Sequence, residues 1–136
     1  MIRFKRWICL LLALSMVLTM VPITAYAETY SGTCGENLTW VLDEAGILTI
    51  SGSGPMTDYS SSSKIPWYSN RSQIAEVVIG DGVTTIGSRA FYYCKKLTGV
   101  TIPDTVIDID DYAFYYCSSL ETVTIGDGVT RIGDSA

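Results

Sequence analysis

The chain has 136 residues, of which 48% are hydrophobic, and it carries 9 lysine and arginine residues, 14 aspartate and glutamate residues and no histidine. Histidine is the commonest general base and metal ligand, so its absence excludes serine triads, cysteine–histidine nucleophiles and zinc hydrolases within these residues. The acidic balance repels phosphate backbones, so we do not expect nucleic-acid binding.

The first 27 residues have the three-part layout of a secretory signal peptide. Three basic residues lie within the first six positions, an uncharged apolar stretch occupies residues 8–21, and Ala25-Tyr26-Ala27 comes next. This stretch is shorter than the roughly 20 apolar residues that cross a bilayer as a helix. We therefore expect cleavage after Ala27, no membrane span after that cleavage, and a secreted or cell-surface protein.

The next predicted element is a β-hairpin N-terminal cap over residues 28–59. Two apolar runs, residues 38–42 and 47–50, flank the turn residues Asp43-Glu44-Ala45-Gly46, a pattern typical of a hairpin. A repeat array needs such a cap because its first coil would otherwise expose an apolar cross-section to water. Residues 60–76 are predicted to form a polar loop and a degenerate first half-repeat.

A repeat with a period of 23 residues occupies residues 77–136. Eight kinds of position match in register, which indicates a true repeat and not a bias of composition. The matched positions are Val77, Val100 and Val123; Ile79, Ile102 and Ile125; Val83, Val106 and Val129; Ile86, Ile109 and Ile132; Ala90, Ala113 and Ala136; Phe91 and Phe114; Cys94 and Cys117; and Leu97 and Leu120.

Each repeat unit predicts a strand, a turn, a second strand and a helical turn. Val100 and Ile102 alternate with Thr101, as in a short strand with one buried face. The apolar spacing of three within residues 113–120 predicts a short helical or 3₁₀ turn. One coil cannot cover its own apolar face, so we expect the coils to stack with their strands in parallel about 4.8 Å apart.

The repeat also resembles a known family. Residues 97–102, Leu-Thr-Gly-Val-Thr-Ile, have the LxxLxL strand pattern of leucine-rich repeats, and Ala-Phe-x-x-Cys-x-x-Leu recurs at residues 90–97 and 113–120. Together these segments resemble the BspA-type leucine-rich repeat of bacterial surface proteins. The resemblance implies a mainly β fold with short helical turns, a right-handed leucine-rich-repeat solenoid of 23-residue coils behind the hairpin cap.

The resemblance extends backwards to a degenerate copy at residues 67–74. In that copy we expect Tyr68 at the place of Phe91, and Arg71 stands where the later copies have cysteine. At the other end, Ala136 precedes the counterpart of Phe91, so the solenoid is predicted to be cut in the middle of a coil. More repeats, an anchor or another domain are the open alternatives for the chain beyond Ala136.

Three cysteines lie after the predicted signal peptide. Cys94 and Cys117 occupy equivalent places in neighbouring coils, where a disulfide is within reach. We favour the alternative that both are small buried hydrophobic residues inside the repeat. Cys34 is expected to be the more exposed thiol, with pairing elsewhere or a reduced state both open.

Two groups of residues are candidate binding surfaces. Tyrosine suits interfaces because it buries a large area at low entropic cost, and four tyrosines recur beside the helical turns. The outward strand positions form the second candidate, because solenoids often bind proteins on a sheet face. The candidate residues are Tyr92, Tyr93, Tyr115 and Tyr116, and on the strands Val78, Thr101 and Thr124.

No catalytic, cofactor or metal site is predicted. The densest acidic run is Asp104, Asp108, Asp110 and Asp111, but Ile107 and Ile109 interrupt it and its spacing matches no calcium loop. We interpret the run as solvated turn and strand edge.

The leading hypothesis for function is a secreted or cell-surface leucine-rich-repeat scaffold, not an enzyme, that mediates protein–protein or cell-surface adhesion. Its expected partner is a protein or a cell-surface ligand, as the resemblance implies. Two alternatives remain open at this point: an N-terminal targeting or spacer module of a larger extracellular enzyme, and a structural stalk.

Overall fold

The computed structural model describes residues 28–136, so the predicted signal peptide and its cleavage site at Ala27 lie outside the described residues. The described chain is mainly β, which confirms the predicted fold class. No helix in residues 28–136 is long and apolar enough to cross a membrane. The strands are β1 (Tyr30–Gly35), β2 (Leu38–Leu42), β3 (Ile47–Gly52), β4 (Gly54–Pro55), β5 (Glu76–Ile79), β6 (Val83–Ile86), β7 (Gly99–Ile102), β8 (Asp108–Ile109), β9 (Thr122–Ile125) and β10 (Arg131–Ile132), and the 3₁₀ helices are Ser62–Lys64 and Tyr68–Gln73.

The N-terminal end is an antiparallel meander of β1, β2 and β3. Strands β2 and β3 pair from Leu38 opposite Gly52 to Leu42 opposite Leu48. In the turn between them, the Asp43 carboxylate accepts a hydrogen bond from the Ile47 amide at 3.0 Å. Gly46 closes this turn with a φ of 82°, which glycine adopts without strain. The sequence pattern did not predict β1, because Gly32 and Gly35 interrupt its alternation.

Strand β3 joins the meander to the coils. It is antiparallel to β2 and parallel to β5, so one six-stranded sheet runs in the order β1-β2-β3-β5-β7-β9. The parallel register places Val77 opposite Val100 and Val100 opposite Val123. The period in the sequence is therefore the length of one coil, and the predicted stacking of coils in parallel is observed.

A second sheet closes the other side of the stack. Its order is β10-β8-β6-β4 and its strands are parallel, with Ile86 opposite Ile109 and Ile109 opposite Ile132. Ile86 and Ile109 are buried between the two sheets, whereas Ile132 is 58% exposed in the last coil. Each coil thus contributes one strand to each sheet and buries its apolar positions against the next coil.

A column of aromatic rings passes through the core. The Phe91 ring stacks on Phe114 with centroids 5.2 Å apart and on the Trp67 indole with centroids 5.6 Å apart. The expectation that Tyr68 takes the place of Phe91 is therefore wrong. Trp67 fills that place because its indole is fully buried and its Nε1 donates a hydrogen bond to the Ala90 carbonyl at 2.8 Å, while Tyr68 begins the 3₁₀ helix half-buried.

The segments between the sheets are runs of turns where the sequence predicts a helical or 3₁₀ turn. Hydrogen bonds of the i to i+3 type do form, such as Cys94 N to Phe91 O at 3.2 Å. They do not continue into a helix because Tyr93 and Tyr116 have φ values of 60° and 58°. In this conformation Tyr93 N donates to Tyr115 O of the next coil at 2.8 Å, so bonding between coils replaces bonding within a helix.

The three cysteines of the described residues are free thiols. Cys94 is buried and Cys117 is half-buried, and the Cys117 thiol donates to the Phe91 carbonyl at 3.2 Å. The expectation that Cys34 is the more exposed thiol is wrong, because Cys34 is only 2% exposed. The segment after β4 covers it, with Thr57 N donating to Cys34 O at 2.9 Å.

These buried thiols predict a fall in stability at alkaline pH. Burial raises the pKa of Cys34 and of Cys117 from 9.0 to about 11. Between about pH 9 and pH 11 the unfolded chain has released these protons and the folded chain has not, so the free energy of unfolding decreases as the pH rises. We expect urea midpoints of the chain from Glu28 onward to fall across this range, and Cys34→Ala to flatten the slope. Rapid reaction of all three native thiols with Ellman's reagent at pH 8, at the rate seen in urea, would contradict the burial.

Candidate functional site

The four candidate tyrosines lie together on the turn side of the coils, and we call them the tyrosine ladder: Tyr92, Tyr93, Tyr115 and Tyr116. They form two columns. The rings of Tyr92 and Tyr115 stack with centroids 5.5 Å apart and planes 12° apart, and those of Tyr93 and Tyr116 stack at 4.8 Å and 24°. Tyr116 is 53% exposed and the other three are half-buried, so one side of each column packs and the other faces solvent.

The backbone holds the ladder in place. Tyr93 and Tyr116 adopt left-handed φ values of 60° and 58°, which cost a residue other than glycine about 1 kcal/mol or more. The bond from Tyr93 N to Tyr115 O fixes one coil against the next. Partial burial first, then the neighbouring Tyr92 and Tyr116 phenols, raise the pKa of Tyr93, so its hydroxyl is neutral near pH 7 and can donate a hydrogen bond.

Cationic side chains lie against these and neighbouring aromatic rings. The Arg71 guanidinium is 4.0 Å from the Tyr68 ring centroid, and the Lys95 ammonium is 5.4 Å from that of Tyr93. At these distances the face of the ring attracts the cation, which holds each flexible side chain near the aromatic surface.

A cleft of about 230 Å³ opens beside the ladder and is lined by Arg71, Ser72, Tyr93 and Lys95. Of these four residues, only Tyr93 was predicted from the sequence as a binding residue. Arg71 carried a sequence signal that could have pointed to the cleft. The later copies have cysteine at this position, and a charged residue is too costly to bury there. The Arg71 side chain is accordingly only half-buried, with its charge at the surface.

The outward strand residues form a separate row on the six-stranded sheet. Val78 pairs with Thr101, and Thr101 pairs with Thr124, so the three lie side by side on β5, β7 and β9. Thr101 and Thr124 are exposed and Val78 is half-buried. Their side chains are short and uncharged, and Glu76 supplies a carboxylate at the edge of this part of the sheet.

One cation from the next coil pairs with three of the four carboxylates in the acidic run. Arg131 forms an ion pair with Asp108 at 2.8 Å, a second with Asp110, and a longer contact with Asp111 at 3.9 Å. Partial burial, then the nearby Asp58 and Asp108 carboxylates, raise the pKa of Asp110, and Arg131 opposes that shift. In the part of the chain that the structure describes, no group of three or more acidic, cysteine or histidine residues could hold a metal ion.

Coils of 23 residues stacked in parallel, with their leucine, valine and isoleucine positions buried between two sheets, define a leucine-rich-repeat protein. This class generally serves as a protein-binding scaffold. Residues 65–136 match the BspA type leucine rich repeat region in 6 copies, and the chain belongs to that family. The resemblance stated from the sequence is thereby confirmed.

The fold is also similar to that of a solved structure. A leucine-rich repeat protein from Eubacterium ventriosum ATCC 27560 superposes with a TM-score of 0.72 at 31% sequence identity, over 79% of this chain and 34% of that chain. This chain thus spans about a third of the length of that protein. No curated protein matches the chain.

Proposed function

We propose that this chain is the protein-binding part of a secreted or cell-surface scaffold, and that the tyrosine ladder is its contact surface. The observation that carries the proposal is the pair of stacked tyrosine columns. Tyrosine is enriched among residues that dominate binding energy, since a large rigid ring is immobilised at the cost of few torsions. Stacking orders these rings before a partner arrives, so less entropy is lost on binding.

The outward sheet face is less suited to this role. Threonine and valine are under-represented among the residues that dominate binding energy. Thr101 and Thr124 are exposed but offer small contact areas, and Val78 is half-buried. The sheet face is therefore the alternative surface that a binding experiment must distinguish from the ladder.

The proposed location rests on the amino terminus and on the family. The basic residues, the apolar stretch and Ala25-Tyr26-Ala27 favour export with cleavage after Ala27. BspA-type repeats are typical of surface or secreted bacterial proteins, which supports the same location. The partner we propose is accordingly a protein on another cell or in the extracellular matrix, bound in adhesion.

The test replaces two rings of the ladder, one from each of two coils. Tyr93→Asn with Tyr116→Asn removes the column that contains the most exposed ring, Tyr116, while keeping a residue type that tolerates positive φ. We expect this pair to weaken binding by at least about tenfold to those extracellular-matrix or cell-surface proteins that the wild-type chain binds, since tyrosine anchors contribute at this scale. Biolayer interferometry on an immobilised panel measures it, with secreted protein whose sequence begins at Glu28.

The matched control places the same new residue on the other surface, as Thr101→Asn with Thr124→Asn. This pair should keep wild-type affinity. Loss of binding by the control pair alone would assign the contact to the sheet face and contradict the role of the ladder. If the wild-type chain binds nothing across a broad panel, the binding function is contradicted and the spacer or stalk hypothesis gains support.

A further inference from the structure

Two cations near the ladder have no acidic partner, although the chain is rich in acids. Residues 28–136 hold 6 lysine and arginine residues against 14 aspartate and glutamate residues. Among these residues, the ion pairs all involve Arg131, so the other five cations form none. Two of those five, Arg71 and Lys95, line one cleft, and this convergence of unpaired cations indicates that the cleft takes an anion from outside the chain.

Arg71 is held ready to bind such an anion. Its Nη1 donates to the Tyr68 carbonyl at 2.8 Å, and its guanidinium lies on the Tyr68 ring. This anchoring uses one of the five N–H donors of the group, which leaves donors for a carboxylate in the fork geometry that arginine favours. Because the guanidinium is already positioned, little side-chain entropy is lost when the anion binds.

The size of the cleft indicates what kind of anion fits. Its volume of about 230 Å³ is below the roughly 300–1,000 Å³ of sites for drug-sized molecules, and it accommodates a single side chain. The acidic residues elsewhere on the chain repel large polyanions. One carboxylate is affected less, since charges beyond about 8 Å are screened at physiological ionic strength.

We propose that this cleft, which we call the Arg71 cleft, binds an aspartate or glutamate side chain from an acidic segment of the protein partner. The inference rests on the proposed function and names the chemistry of the partner. Tyr93 belongs both to the cleft and to the ladder, so a peptide with its carboxylate between Arg71 and Lys95 continues onto the stacked rings. This continuity favours a peptide, because tyrosine is enriched at protein–protein interfaces and the rings offer a packing surface to the side chains beside the carboxylate.

The test compares two labelled peptides, Ser-Glu-Tyr-Glu-Ser and Ser-Gln-Tyr-Gln-Ser, by fluorescence anisotropy with the chain from Glu28 onward. We expect the glutamate peptide to bind at least about fivefold more tightly, and we expect Arg71→Gln and Lys95→Gln each to reduce that difference to less than about twofold, because each removes one charge-assisted contact at a partly exposed site. Lys96→Gln is the matched control, since Lys96 is an exposed neighbour outside the cleft, and it should keep the wild-type difference.

Equal affinity for the two peptides, or no binding of the glutamate peptide at millimolar concentration, would overturn the proposal. Binding of an oligogalacturonate in place of the peptide would also overturn it, because the carboxylate would then come from a sugar. Arg71 donates a hydrogen bond that anchors its own turn, so Arg71→Gln could unfold that turn. Lys95 is exposed, so Lys95→Gln keeps the test decisive in that case. If a panel protein loses affinity with the ladder variant but not with Lys95→Gln, this inference fails while the proposed function stands.

Discussion

Replacing Trp67 with alanine is expected to lower the free energy of unfolding by about 4 kcal/mol, a large fraction of the stability of a small domain. Trp67 is fully buried and contacts three aromatic rings. Its centroid lies 5.6 Å from Trp40, 6.2 Å from Tyr59 and 5.6 Å from Phe91. Because Trp40 belongs to the N-terminal meander and Phe91 to the next coil, the cavity would open where the two parts join. Urea unfolding followed by far-UV circular dichroism measures the loss.

The control Trp67→Phe separates packing from hydrogen bonding. A phenylalanine keeps an aromatic ring on Phe91 but cannot donate to the Ala90 carbonyl, which accepts from Trp67 Nε1. We expect the free energy of unfolding to fall by a smaller amount, about 1 to 2 kcal/mol, because the buried Ala90 carbonyl loses its donor and the smaller ring packs less area. A loss below about 1 kcal/mol for Trp67→Ala would show that the indole does not link the meander to the coils.

Gly87→Ala is the second change with a large expected effect, about 3 kcal/mol of destabilisation from overpacking. A methyl group added at Gly87 would overlap the Thr57 carbonyl oxygen, a backbone atom that no side-chain rotation can move away. On either side of this contact, the segment after β4 bonds to the first complete coil, through Met56 N to Thr85 O at 3.3 Å and Tyr59 N to Ser88 O at 3.0 Å. The added methyl group therefore forces the segment off the coil, and urea unfolding measures the cost.

Gly99→Ala is the matched control, since a methyl group there meets open space. It should change the free energy of unfolding by less than about 1 kcal/mol, in the stabilising direction, because alanine restricts the unfolded chain more than glycine does. Similar destabilisation by both substitutions would mean that glycine flexibility, and not the contact with Thr57, determines the effect at Gly87.

The coil architecture was predictable because its signal repeats. The alternation of Val100, Thr101 and Ile102 predicts a strand, and its recurrence after a fixed interval predicts the stacking of that strand on its copies. Signals that occur once were less informative. Strand β1 was missed because its glycines hide the alternation, and Cys34 was misplaced because the segment that covers it lies about twenty residues further along the chain.

The candidate site was predictable in part for the same reason. The paired tyrosines recur with the repeat, so Tyr92, Tyr93, Tyr115 and Tyr116 could be named from the sequence. Their stacking into columns depends on positive φ values, which a sequence favours only where glycine or asparagine stands. The Arg71 cleft was missed because its two cations are far apart along the chain and approach only when the coils stack.

The amino-acid pattern was enough to predict the coil length, the parallel pairing and the positions of the buried valines and isoleucines, because apolar residues with a regular period can leave water only by stacking. Which residue fills a position that departs from the repeat depends on the packing between coils. In the degenerate coil Trp67 and not Tyr68 is buried in the core, since the larger indole ring fills the space and its Nε1 donates a hydrogen bond to the Ala90 carbonyl. Contacts of this kind join residues from different coils, and the packing of those coils selects between neighbours that the sequence pattern cannot distinguish.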